Sequence, residues 1–179
     1  MKKLIFVLLI IMFVSCSEKG VIAKINGKKI TLKYFSQELS KLPDSLRNDL
    51  DNDSLAFLDE LISNELLLQE AHRFKIDTIN QVKNDITKDE SQRDDILIQK
   101  LLEQKCLSNI EVTDDEITAF YNNNILDMQG MTLEQEKQDI YELLMEQKEQ
   151  AAIGAYISKL EDKSEIIYYV KWSQNDSTE

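Results

Sequence analysis

Phe13-Val14-Ser15-Cys16 is the segment of this chain with the most definite chemistry. It follows Lys2-Lys3 and the apolar run Leu4 to Val14, the layout of a cleavable export signal. An apolar residue, two tolerant positions and a cysteine make a lipobox pattern, with Phe13 in place of the commoner leucine. The thiol is required because lipid attaches through a thioether, and a small residue before it admits the peptidase. This reading predicts that residues 1–15 are removed and that Cys16 becomes a lipid-bearing N-terminus. An ordinary signal with an incidental cysteine fits the same run. Leu4 to Val14 is too short to span a bilayer as a stable helix, and Ser17-Glu18-Lys19 interrupts it. Ser17 to Gly20 would form a tether reaching at most ~13 Å.

Asp49, Asp51 and Asp53, with Glu60 at the twelfth position, occupy EF-hand ligand positions. Position six is Ser54, where the sharp turn needs glycine, and Leu55 to Leu58 reads as the start of a helix. An acidic connection that favours the next helix dipole accounts for the same residues, so calcium is a candidate and no cofactor is expected. His72, beside Arg73, has no nucleophile in local register. Asp94-Asp95 and Asp114-Asp115 sit in polar surroundings and read as solvated faces or helix starts, because carboxylate chemistry needs a distinct environment for each partner. Cys106 lies among Leu101, Leu102 and Leu107, without a basic cluster to lower its pKa, and reads as a buried inert thiol. Phosphate-loop, Gly-x-Ser-x-Gly and His-Glu-x-x-His patterns do not occur.

Composition narrows the class. The chain has 179 residues, with 21 Lys+Arg against 33 Asp+Glu, a net charge of −12. Loss of Lys2 and Lys3 with the leader takes this to −14. A pI near 4.6 argues against nucleic acid, which needs a basic surface. One His and two Cys exclude zinc fingers and disulfide scaffolds. Four Gly and one Pro favour helices over a turn-rich β fold.

The elements follow from pattern. Val21 to Ile25, Asn26-Gly27 and Lys28 to Thr31 predict a hairpin. Thr31 is placed to cap a helix over about 32–42, which Pro43-Asp44 stops, and an acidic stretch runs on to Asp53. Ser54 is placed to cap a helix over about 55–75, and a further helix is expected from Ile79 to Leu107. Thr113 to Glu116 is a capping box for a short helix that Asn122-Asn123-Asn124 breaks. Thr132 to Gln135 opens a long helix to about Asp162, roughly 45 Å. Glu165 to Trp172 reads as a strand that pairs with Val21–Ile25 and joins the chain ends; residues 173–179 read as a disordered tail. The expectation is a mainly α, long-helix body over 21–172 with a small sheet from a hairpin at about 21–31 and a strand at about 165–172. Met128, Met131 and Met145 serve either as adaptable contacts or as core filling.

Four segments, in order, resemble SurA-type and PrsA-type bacterial envelope chaperones. They are Val21 to Thr31, similar to "V-A-x-V-N-G-x-x-I-T"; Leu58 to Ala71, similar to "L-x-x-L-I-x-x-x-L-L-x-x-E-A"; Val112 to Tyr121, similar to "V-T-D-E-E-I-x-x-Y-Y"; and the terminal helix with Tyr156-Ile157-x-x-Leu160 before a closing β run. The resemblance implies a SurA N-terminal-like cradle, akin to the trigger-factor C-domain. In that family a parvulin prolyl-isomerase domain usually follows the "Y-Y" helix. Here only Asn122 to Met131 separate Tyr121 from the last helix, so the cradle is expected without the isomerase. The implied function is a membrane-anchored, ATP-independent, non-catalytic periplasmic chaperone in the cell envelope. Its partners would be unfolded or partly folded secreted and outer-membrane proteins. Leu133, Ile140, Leu144 and Met145 are the expected client-facing residues, each equally placed to be core. The alternatives are an accessory or scaffold lipoprotein of one envelope complex, and an isomerase with a degenerate site.

Overall fold

The computed structural model describes residues 20–47, 54–126, 128 and 130–170. Cys16 with its leader, Asp49, Asp51 and Asp53, and residues 171–179 lie outside the described residues.

The hairpin forms as the sequence predicts. Strands β1 (Val21–Ile25) and β2 (Lys28–Thr31) pair antiparallel, with Ile25 opposite Lys28. Asn26 and Gly27 both take positive φ, 48° and 91°, which is what a turn matching the strand twist requires. The register shifts between Val21 and Ala23. That bulge allows Ile22 and Ala23, neighbours in sequence, both to be buried with Ile25. Strand β3 (Ile166–Tyr168) pairs antiparallel with β1, giving the order β2-β1-β3. The expected strand at about 165–172 is thus shorter within the described residues. Asn26 ties the turn to the chain end: its amide N–H donates to the Glu165 carbonyl at 2.9 Å, and its Oδ1 accepts from the Glu165 N–H at 2.9 Å.

Helix α1 (Leu32–Lys41) is capped by Thr31, whose hydroxyl oxygen accepts from the Tyr34 N–H. Pro43 does more than stop it. Residues 44–47 are helical, with the Arg47 N–H donating to the Pro43 carbonyl at 3.0 Å; proline suits the start of a helical turn because it needs no donor there. In helix α2 (Ser54–Arg73) Ser54 is already helical, and the residues just before it lie outside the described residues. The helix ends at Arg73, two residues earlier than expected, shortly before Lys75 takes the left-handed region (φ 57°).

The continuous helix expected from Ile79 to Leu107 is in fact broken. A 3-10 turn (Ile76–Thr78) precedes α3 (Asn80–Lys88), then come a second 3-10 turn (Glu90–Gln92), α4 (Arg93–Leu102) and a π-helical turn (Glu103–Leu107). Asp89 causes the middle break. Its carboxylate accepts from the N–H and hydroxyl of Ser91, at 3.0 and 2.5 Å, giving the backbone a local alternative to the helix ladder. Folding α3 back on α4 buries Val82, Ile86, Leu97 and Leu101 together. Helices α5 (Asp114–Asn123) and α6 (Leu133–Glu161) complete the fold.

Two apolar cores lie along α2. The first joins the sheet, Phe35 of α1 and Phe57, Leu58, Ile62 and Leu66 of α2. The second joins Leu67 and Ala71 of α2 to Ile76, α3 and α4. Leu160 of α6 packs against both. Phe74 pins the π-helical turn to the end of α2, with Arg73 4.2 Å and Lys105 3.4 Å from its ring centre.

Candidate functional site

The long helix sets the geometry. Only the C-terminal half of α6 docks on the body, where the Tyr156 hydroxyl donates to Glu70 of α2 at 3.3 Å. From Tyr156 back to Leu133 the helix runs about 35 Å at 1.5 Å per residue. Along that length α5 is its main neighbour. The pair forms an arm.

Three devices hold the arm together. Thr113 and Glu116 form a capping box at the start of α5, and Thr132 and Gln135 form a second at the start of α6. Lys148 then crosses from α6 to α5, donating to Glu116 at 2.8 Å and to the Glu111 carbonyl at 2.6 Å. This ammonium and the Thr113 N–H hold the Glu116 carboxyl far below the ordinary range, down to about 2. Ile117 of α5 and Ile140 of α6 are buried at 3% and 2% exposure. At the far end the Tyr121 hydroxyl donates to the Met131 carbonyl at 2.8 Å, closing the connection between the helices.

That connection is the most exposed apolar segment among the described residues. Leu126 is 95% exposed, Ile125 52% and Met131 45%. Tyr141 and Leu143 continue the exposed surface along α6. Beside them a shallow cleft of ≈ 320 Å³ has Val112, Ile117 and Tyr141 in its walls and the 2.9 Å Lys137–Asp114 ion pair at its side. A second cleft of ≈ 410 Å³ lies on the body, with Ile30, Tyr34, Leu61 and Leu68 among polar residues that include Glu65 and His72.

The residues singled out by sequence fall as follows. Leu133, Leu144 and Met145 are half-buried on the arm. Ile140 is buried and belongs to the arm's interior rather than to an open face. Ile125, Leu126, Tyr141 and Leu143 are the exposed apolar residues that helical periodicity missed. The available signal was Ile125-Leu126 directly after Asn122-Asn123-Asn124, an apolar pair where no element can bury it. Glu60 is exposed on α2; its companions Asp49, Asp51 and Asp53 lie outside the described residues. Among the described residues no group of three acidic, His or Cys side chains is placed to hold a metal ion. His72 stands 3.9 Å from Asp77. Asp94 and Asp114 lie with Asp95 and Asp115 in the first turns of α4 and α5. Cys106 is half-buried rather than fully buried, and desolvation raises its pKa, the direction that disfavours the reactive thiolate. Among the described residues no helix is long and apolar enough to cross a membrane.

These features define a class first: a mainly helical protein that holds apolar surface out on a stapled arm. The particular family follows from comparison. Residues 1–129 match the model of the SurA-like N-terminal domain, and the chain belongs to that family. It is a chaperone-type family associated with the cell envelope. The match ends within the tip of the arm, so α6 and β3 lie beyond it. No curated protein and no solved structure matches the chain.

Proposed function

We propose that this protein is a lipid-anchored, ATP-independent holding chaperone that keeps unfolded secreted or outer-membrane proteins from aggregating and performs no catalysis. The observation that carries the reading is the apolar tip, with Leu126 at 95% exposure, in a member of a chaperone-type family. An exposed apolar patch on a soluble body marks an interaction site. Ile125, Leu126, Met131 and Tyr141 offer many weak contacts that need no sequence code. The charge of −14 after processing keeps such a surface from self-association. Only nine residues, Asn124 to Thr132, join α5 to α6 in sequence, which supports a reading without the isomerase domain that the resemblance places at this point. The perturbed groups Glu116, Tyr156 and Tyr168 each bridge two elements and are read as structural.

Aggregation suppression tests the reading. The chain from Ser17 onward is mixed with an unfolded outer-membrane β-barrel protein during dilution, and light scattering is followed. Suppression near equimolar ratio is expected, with most of it lost in Ile125→Ser/Leu126→Ser. Those positions are exposed, so the variant stays folded, whereas a polar residue at Ile140 would disrupt the arm itself. No suppression at large excess would sink the holdase reading and favour an accessory lipoprotein serving one dedicated partner.

A further inference from the structure

The chain has five methionines, and Met1 and Met12 lie in the segment read as a leader. The other three, Met128, Met131 and Met145, all fall on the arm, in the connection between α5 and α6 or on α6 itself. Among the described residues, the buried side chains of both cores are isoleucine, leucine, valine, phenylalanine and alanine. Methionine is therefore not core filling here. Met131 is 45% exposed, and Met128 and Met145 are half-buried.

A methionine sulfur takes up oxygen from mild oxidants, and a flexible apolar side chain becomes a polar, chiral one. The step balances with a peroxide alone. The sulfur lone pair attacks one peroxide oxygen, an S–O bond forms and the O–O bond breaks. The proton of the transferred hydroxyl passes to the departing hydroxide, which leaves as water. Sulfur is oxidised and the peroxide reduced.

Geometry singles out Met131. Its N–H donates to the Met128 carbonyl and its carbonyl accepts from the Tyr121 hydroxyl, each at 2.8 Å. Gly130 before it takes a positive φ of 84°. The backbone thus fixes Met131 in a tight turn while its side chain stays open to solvent. Both bonds use the main chain, so an oxygen on the sulfur leaves them in place. The surface changes instead. Asn124 to Thr132 contains four apolar side chains, Ile125, Leu126, Met128 and Met131, and the sulfoxides make two of them polar. Cys106, the competing sulfur, is half-buried, and desolvation raises its pKa, which disfavours the thiolate that peroxides attack. An envelope-associated family also works outside the reducing cytosol.

We propose that Met131, with Met128 beside it, is an oxidation site through which peroxides loosen the protein's hold on clients. This rests on the reading of the tip as the client-binding surface. The sulfoxides make the tip polar without unfolding the arm, and sulfoxide reduction restores it.

The chain from Ser17 onward, carrying Cys106→Ser, is treated with hydrogen peroxide, and each methionine is followed by peptide mass spectrometry. Met131 should gain its oxygen at least twofold faster than Met145. Once Met131 is fully oxidised, suppression of β-barrel aggregation should fall by half or more with the circular dichroism spectrum unchanged. It should return after treatment with the two sulfoxide reductases, one for each epimer. Met128→Leu/Met131→Leu removes both sulfurs and keeps apolar bulk. Under the same exposure that variant should retain its own untreated level of suppression, whereas Met145→Leu should lose as much as the parent. Equal oxidation rates at Met131 and Met145, undiminished suppression by the oxidised protein, or an equal loss in Met128→Leu/Met131→Leu overturns the proposal. An untreated protein that suppresses nothing sinks the holding reading itself, and this switch with it.

Discussion

Glu116 serves two structures at once. It completes the cap of α5 by accepting the Thr113 N–H at 2.9 Å, and it receives the Lys148 ammonium from α6. Both donors favour the charged form, so the carboxyl is held down at about 2, from an ordinary value of 4.5. The sign follows from linkage. A folded-state pKa below the unfolded one gives stability that is fully present above about 4.5 and lost as pH falls from there toward 2. The arm should therefore loosen in acid before the body does. Glu116→Gln keeps the shape of the side chain and removes the titration. Its melting temperature should lie below wild type at pH 7, and the gap should narrow steadily as pH falls from about 4.5 toward 2. Parallel melting profiles across that range would show that Glu116 does not couple the two helices. The same residue illustrates what sequence can show. The capping box is legible from Thr113 and Glu116 alone, three positions apart. Lys148, 32 positions further on, carries no local signal, because nothing near it in the sequence specifies its partner.

Among the elements, the hairpin and the broken helix stand at opposite extremes of legibility. Asn26-Gly27 is readable because the turn demands positive φ at both positions and few residues accept it. A Cβ at Gly27 would meet nothing within 4 Å, although φ is 91°. The cost of Gly27→Val is thus backbone strain without steric clash, roughly 1–2 kcal/mol. Gly27→Asn should cost less, since asparagine tolerates the left-handed region. Urea denaturation of the two variants checks this, and equal losses would place the cost elsewhere. The stretch from Ile79 to Leu107 misleads for the opposite reason. Its apolar spacing continues across Asp89, so periodicity alone reads one helix. The break is set by the Asp89 side chain turning onto Ser91, and by the burial that becomes available once α3 folds back on α4. Tertiary packing overrides a pattern that is locally consistent with helix. The exposed Ile125-Leu126 pair escapes periodicity on similar grounds. Amphipathic spacing points to stripes such as Ile140, and a stripe is what a partner helix buries; Ile125 and Leu126 stay exposed because they belong to no stripe.

At the scale of the whole molecule, the chain closes on itself at the sheet and opens at the arm. Strand β3 returns to β1, and the Tyr168 hydroxyl donates to Asp59 at 2.8 Å, locking β3 to α2. The arm is attached at one narrow waist. There the Lys148 side chain reaches the Glu111 carbonyl at 2.6 Å, so the two strands of chain entering the arm run side by side. A four-residue Gly/Ser linker, reaching ~13 Å, should therefore join Glu111 to Lys148 and delete everything between. Both cores lie outside the deleted segment. The shortened protein should unfold in a single cooperative transition, with its circular dichroism still strongly helical. It should also lose most of its ability to suppress aggregation, because the tip around Leu126 has gone. If it keeps that ability, binding resides on the body, and the ≈ 410 Å³ cleft around Ile30, Tyr34, Leu61 and Leu68 becomes the surface to mutate. If it fails to fold, Ile117 and Ile140 are supporting the body as well as each other, and the arm is part of the folding unit rather than an appendage to it.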